Sequence, residues 1–123
     1  MSFAQNAKKH TRGNDPIFEG REKVGIGDVI VEYPEGITIN DFALLRDEQN
    51  DTDYVVCVFE EEAKAFFFGG SALTNLFKDT VDEDYAGNVS AAREAIAKDP
   101  LKVRLSEKRS KNGRNYTAYE ILD

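Results

Sequence analysis

The sequence contains few of the residues that support disulfide, metal or redox chemistry. Its 123 residues include one cysteine, Cys57, one histidine, His10, and no tryptophan. A single cysteine cannot form an internal disulfide, and the chain has no Cys/His set with the spacing of a zinc site. We therefore expect no metal and no cofactor, and a cysteine that stays reduced predicts a cytoplasmic location.

Long apolar runs and catalytic motifs are missing as well. Residues 1–9 lack the apolar centre of a signal peptide, and no run approaches the length of a membrane span, so no membrane partner is expected. Gly69-Gly70 belongs neither to the dinucleotide fingerprint nor to a phosphate-binding loop, and there is no nucleophile elbow. The carboxylates of residues 82–84 lack the spacing of a calcium loop. The sequence predicts that the protein is not an enzyme.

The composition that remains is typical of a globular domain with a short N-terminal extension. Hydrophobic residues make up 41% of the chain, and 13 of them are Phe or Tyr, enough for a packed core. Residues 1–22 have no apolar period and contain the loop-forming sequence Gly13-Asn14-Asp15-Pro16. We expect a flexible arm over residues 1–22 and a single domain over residues 23–123, and docking of Ile17 and Phe18 on that domain stays open.

The central residues alternate between strand and helix patterns. The β-branched run Val29–Val31 predicts a strand, and Ile37–Leu45 predicts a long bent strand. Tyr54–Phe59 and Lys64–Phe68 predict a hairpin across the glutamates between them.

Two helices are expected between this hairpin and the C-terminal residues. Ser71 is a good N-cap for an amphipathic helix over residues 72–78, and residues 79–88 form an acidic loop. The alanine-rich Ser90–Lys98 predicts a second helix, ended by Asp99-Pro100.

The C-terminal residues predict a hairpin around Asn112-Gly113. A two-residue turn would pair Leu105 with Glu120 and mix apolar with charged residues on each face. A three-residue loop with Gly113 in the left-handed conformation pairs Leu105 with Tyr119 and separates the faces, so we predict this register. It also pairs Val103 with Ile121, Arg104 with Glu120, and Lys108 with Tyr116.

The order of elements is strands, a helical segment, and a final hairpin, which indicates a mainly β fold with helices. Five antiparallel strands with a helical insertion between the third and the fourth are the arrangement of an OB-fold barrel. An open antiparallel α+β sheet, with the helices on one face, accommodates the same elements and stays open as an alternative.

The charges are distributed unevenly along the chain. The net charge of −7 combines +2 for residues 1–23, −12 for residues 24–100 and +3 for residues 101–123. A basic end beside an acidic middle is typical of a directed electrostatic surface. The uneven charges of the three segments are equally well explained by a surface whose only role is to keep the protein in solution.

Two segments resemble parts of a known family. Lys108–Tyr116 resembles the closing hairpin of small phage and mobile-element single-stranded-DNA-binding proteins, in which a basic Ser-Lys-Asn-Gly turn followed by an aromatic residue is frequent. Phe66–Ser71, followed by a helix, is similar to their passage from strand to helix. The resemblance covers only the C-terminal part of the chain, and it implies an OB-like fold and a role in DNA replication of a phage or mobile element.

These observations favour binding of single-stranded nucleic acid, most simply DNA. Such binding needs cations along the backbone and flat rings on which bases stack. The predicted cations are Lys102, Arg104, Lys108, Arg109, Lys111 and Arg114. The predicted rings are Tyr116 and one of Tyr54, Phe66 or Phe68. Tyr116 is equally well explained as a structural cross-strand partner of Lys108. A replication or recombination protein is a further expected partner, and a homo-oligomer stays open.

The alternative hypothesis is an acidic adaptor or inhibitor that imitates nucleic acid and binds a basic protein. Its acidic residues would be Glu60, Glu61, Glu62, Asp82, Glu83 and Asp84.

Overall fold

A computed structural model describes residues 16–122, which form six strands and three helices after a short 3-10 turn, Pro16–Phe18. The strands are β1 Glu22–Lys23, β2 Ile37–Asp47, β3 Thr52–Phe59, β4 Glu62–Phe68, β5 Leu101–Arg109 and β6 Asn115–Leu122. The helices are α1 Ile26–Glu32, α2 Gly70–Asp84 and α3 Val89–Lys98.

The six strands form one mixed sheet in the order β1-β4-β3-β2-β5-β6. Strands β2, β3 and β4 are an antiparallel meander, and β5 joins it through the pairs of Ile37 with Val103 and Ile39 with Leu101. Only the two-residue β1 runs parallel to its neighbour, β4. Over residues 16–122, β1 and β6 each pair with one neighbour and form the two edges of the sheet, which is not closed into a barrel. The expected mainly β fold with helices is confirmed, in an open form closer to the alternative than to the OB barrel.

The two faces of the sheet are covered differently. One face packs against apolar residues of all three helices, among them Val29 of α1, Leu73 of α2 and Ala92 of α3. The opposite face carries a smaller cluster that includes Val56 and Phe66 and contains no residue of α1, α2 or α3. We call these the helix-covered face and the helix-free face.

The start of the described chain lies on the helix-free face. Residues 1–15 of the expected arm are outside the described part of the chain. Ile17 is buried and Phe18 half-buried, and the ring of Phe18 packs edge-on against that of Phe66 at 4.8 Å between centroids. Ile17 and Phe18 therefore dock on the sheet, as the sequence left open.

The prediction of a strand at Val29–Val31 is wrong, because these residues lie in α1. Val29 is 2% exposed and Val31 is 78% exposed. Residues two apart share a face of a strand, whereas on a helix they point in different directions. Packing of Val29 into the helix-covered core therefore overrides the strand preference of β-branched residues.

The acidic loop predicted over residues 79–88 is mostly helix, since α2 continues to Asp84. Phe77 and Val81, four residues apart, are both buried and carry the apolar stripe through the acidic segment. The prediction for α3 is confirmed, and its N-cap is Asn88, whose side chain accepts a hydrogen bond from the N–H of Ala91.

Candidate nucleic-acid interface

The β5–β6 hairpin has the register that the sequence predicts. Leu105 pairs with Tyr119 and Lys108 with Tyr116, and the pairs of Val103 with Ile121 and Arg104 with Glu120 are confirmed as well. The N–H of Ser110 donates to the carbonyl oxygen of Arg114 at 2.8 Å, which closes the three-residue loop. Gly113 has φ of +78°, the left-handed conformation that this loop requires.

The register places three cations on the helix-free face. Val103 and Leu105 are buried in the helix-covered core, and side chains alternate along a strand, so Lys102, Arg104 and Lys108 point the other way. All three are exposed.

Tyr116 shares this face, directly opposite Lys108. Its side chain is 49% exposed, whereas Tyr119 on the other face packs against the core. The predicted register therefore exposes Tyr116 and turns Tyr119 toward the core.

The remaining predicted cations lie at the tip of the hairpin. Arg109, Lys111 and Arg114 are exposed around the three-residue loop. The acidic residues among positions 101–122 are Glu107 and Glu120, and a carboxylate oxygen of Glu120 lies 3.1 Å from a guanidinium nitrogen of Arg104. Residues 101–122 thus carry six basic and two acidic side chains. We call this element the basic hairpin.

The other three predicted rings, Tyr54, Phe66 and Phe68, form an aromatic patch on the helix-free face of β3 and β4. Tyr54 and Phe68 meet edge-on at 5.5 Å between centroids. Phe66 is only 8% exposed, under Phe18, which leaves it closed to a stacked base. The ammonium group of Lys23 lies 4.8 Å from the centroid of Phe68.

The tip of the basic hairpin and Tyr54 of the aromatic patch lie at opposite ends of the sheet. From the paired residues Ile37 and Val103, β5 continues to Lys108, while β2 continues the other way to Leu45, the partner of Tyr54. The strand path between Lys108 and Leu45 is roughly 40 Å at about 3.3 Å per residue. The structure therefore places all seven predicted residues on one hairpin and separates its tip from Tyr54, while Lys102 at the base of the hairpin lies between the two.

Sequence reasoning left open that Phe18 docks on the domain, but it did not predict that Phe18 and Lys23 cover the aromatic patch. Phe18 and Lys23 come from the first described turn and from the parallel edge strand β1. No local pattern signals these contacts, because they depend on β1 pairing beside β4, far along the chain.

The acidic residues of the adaptor hypothesis are partly used by the fold itself. Glu61 accepts hydrogen bonds from the N–H and the hydroxyl of Thr38, at 2.8 and 3.0 Å. Glu62 accepts a hydrogen bond from the hydroxyl of Tyr33 at 2.7 Å, a contact that raises the pKa of Tyr33 to about 12. Residues 82–84 are exposed at the end of α2.

Glu62 also interacts with Glu32 at the end of α1. Hydrogen bonding of the protonated Glu32 carboxyl to Glu62 and repulsion between the two carboxylates raise the pKa of Glu32. Since the pKa of Glu32 is higher in the folded than in the unfolded state, its contribution to stability is present at low pH. That contribution is lost as the pH rises through the folded-state value.

We expect Glu32→Gln to raise the melting temperature at about pH 7 and to change it little at about pH 4. The glutamine amide donates to Glu62 at every pH and carries no charge, so it helps only where wild-type Glu32 is ionised. Thermal unfolding followed by circular dichroism at the two pH values measures the difference. Glu48→Gln, on the exposed β2–β3 turn, is the matched control, and equal shifts of Glu32→Gln at both pH values would contradict the prediction.

Other classes of site find no support in the described residues. Among residues 16–122, no His, Cys, Asp and Glu side chains form a group of three or more that could hold a metal ion. Cys57 is fully buried, and burial raises the pKa of its thiol. No helix in this part of the chain is long and apolar enough to cross a membrane.

Comparisons of the chain with protein-family models, with curated proteins and with solved structures gave no match.

Proposed function

We propose that the basic hairpin binds single-stranded nucleic acid, most simply DNA, on the helix-free face of β5 and β6. The observation that carries this proposal is the half-exposed ring of Tyr116 directly opposite Lys108, on the face that also holds Lys102 and Arg104. The tip adds three further exposed cations. A ring for one base beside cations for the flanking phosphates is the combination that single-strand binding uses.

The chemistry favours a single strand over a duplex. Stacking on Tyr116 requires a base whose flat face is accessible, and paired bases in a duplex keep their faces covered. The resemblance of Lys108–Tyr116 to phage single-stranded-DNA-binding proteins makes DNA the first substrate to test and replication or recombination the first process. The proposal does not depend on an OB barrel, since the hairpin lies at the edge of an open sheet.

The acidic adaptor alternative receives less support. Glu61 and Glu62 form hydrogen bonds with Thr38 and Tyr33, which explains them as parts of the fold. The basic hairpin, in contrast, places most of its cations in solvent without an ion pair among the described residues.

Fluorescence anisotropy with a labelled oligo-dT tests the proposal. If all six cations contact phosphates, the affinity falls roughly 300-fold between about 50 and 200 mM salt, at a slope of about 0.7 per contact for single strands. An unlabelled duplex and an RNA of the same length serve as competitors. Absence of binding at the lower salt concentration would refute the proposal, and equal competition by the duplex would refute the preference for a single strand.

We expect Tyr116→Ala to weaken binding of oligo-dT by about 5- to 150-fold, because stacking of one base contributes about 1–3 kcal/mol. Tyr116→Phe keeps the ring and is expected to keep the affinity. If Tyr116 served only as a cross-strand partner of Lys108, the alanine variant would lose about 0.2–1 kcal/mol of folding stability and no affinity. Anisotropy titrations and thermal melts of the two variants distinguish these roles.

A further inference from the structure

The outer edge of β6 is a second candidate binding surface, formed by backbone groups at the edge of the sheet. All eight residues of β6 pair with β5, and β6 is the last strand of the sheet. The opposite edge strand, β1, has only two residues. Edge strands of monomeric proteins are usually short or carry lysine, proline or a bulge that prevents further pairing.

Strand β6 has none of these protections. Its sequence, NYTAYEIL, contains no lysine, proline or glycine and a single charged residue, Glu120. Tyrosine, threonine and isoleucine are strong strand formers. The register of β6 with β5 is continuous over Asn115–Leu122, without a bulge.

The hairpin geometry shows which backbone groups of β6 point outward. Ser110 and Arg114 form a hydrogen-bonded pair, and such pairs alternate along an antiparallel ladder. Tyr116 and Ala118 therefore use their N–H and C=O groups toward β5. The N–H and C=O groups of Thr117 and Tyr119 point away from the sheet.

We infer that β6 pairs in antiparallel fashion with β6 of a second copy of this chain, with Thr117 at the two-fold axis. This register places Arg114 opposite Glu120 of the partner subunit, and the symmetry repeats this pair of opposite charges. Thr117 faces Thr117 of the partner subunit through the outward backbone groups, a favourable cross-strand pair. Because the segment complements itself in charge, a second copy fits this edge better than an unrelated strand.

The pairing also preserves and extends the face used in the proposed function. Directly opposed residues of an antiparallel pair lie on one face of the sheet, so the helix-free faces of the two copies become continuous. Tyr116 faces the small Ala118 of the partner subunit, which leaves its ring accessible. The two basic hairpins then lie side by side, although formation of the dimer itself does not rest on nucleic-acid binding.

Sedimentation equilibrium of the whole chain without nucleic acid, from about 1 µM to about 1 mM, tests the inference. We expect the mass to rise from 13.8 kDa toward twice that value. Thr117→Lys places two like charges at the axis and is expected to raise the dissociation constant at least tenfold, whereas Thr117→Val should not. A wild-type protein that stays monomeric, or a Thr117→Lys variant that dimerises as the wild type does, overturns the inference.

A charge exchange tests the register. Arg114→Glu places two carboxylates opposite each other and is expected to weaken the dimer. The triple variant Arg104→Glu/Arg114→Glu/Glu120→Arg restores opposite charges across the dimer and keeps the ion pair between positions 104 and 120 within each hairpin, so it is expected to restore dimerisation. A triple variant that dimerises no better than Arg114→Glu overturns the Thr117-centred register. Circular dichroism melts of each variant separate loss of pairing from loss of folding.

Discussion

Replacing Lys108, Arg109 and Lys111 together by alanine is expected to reduce the affinity for oligo-dT about 100-fold at about 0.1 M salt. The three side chains are exposed at the tip of the basic hairpin. Each phosphate contact releases condensed counterions, and removal of three contacts lowers the slope of log K against log salt by about 2. Anisotropy titrations of the wild type and the triple variant at four salt concentrations measure both quantities.

The matched control removes the same charge elsewhere. Lys23, Lys64 and Lys98 are exposed and lie outside the basic hairpin. The triple alanine variant of these residues has the same net charge as the hairpin variant, so it reports the general effect of protein charge. We expect its affinity to stay within about threefold of the wild type and its salt slope to stay unchanged.

The two variants together show where the nucleic-acid strand binds on the protein. Lys23 lies over Phe68 of the aromatic patch. If the bound nucleic acid followed the helix-free face to that patch, the control variant would bind oligo-dT as weakly as the hairpin variant. Such a result would contradict a binding surface confined to the basic hairpin. A wild-type affinity in both variants would refute the proposed function itself.

The basic hairpin could be predicted from the sequence because its determinants are local. The alternation around Asn112-Gly113 admits only one register that separates apolar from charged residues, and Gly113 supplies the left-handed residue of the loop. The burial of Val103 and Leu105 and the exposure of Tyr116 then follow from the pleat.

The rest of the fold depends on contacts between distant parts of the chain. Val29–Val31 has a strand composition, yet only the burial of Val29 against the sheet makes it a helix. The ion pair of Arg93 with Asp41, at 2.8 Å, joins α3 to β2 across a large separation in sequence and has no local signal. The same applies to the pairing of β2 with β5, which leaves the sheet open and separates Tyr54 from the basic hairpin.

Gly69→Ala is expected to lower the free energy of unfolding by about 1–3 kcal/mol and the melting temperature by about 4–12 °C. Gly69 is buried where β4 passes into α2, and its N–H donates to the carbonyl oxygen of Val55 at 2.9 Å. A Cβ at Gly69 would lie 2.5 Å from Cγ1 of Val55 and 3.0 Å from Cβ of Leu73. Both neighbours are fully buried, so strand and helix must move apart to admit a methyl group.

The control for this variant is Gly27→Ala in α1. A Cβ at Gly27 meets nothing within 4 Å, and alanine is favoured over glycine in a helix by up to about 1 kcal/mol, so the melting temperature should stay the same or rise. Urea unfolding and thermal melts measure both variants, and equal stability of the two would contradict the close approach at Gly69. Because Gly69 lies outside the basic hairpin, Gly69→Ala should bind oligo-dT with wild-type affinity at temperatures well below its melting point. Stability and binding can therefore be changed separately. The packing at Gly69 holds α2 on the sheet, whereas the positions of the proposed binding residues are set by the register of β5 with β6.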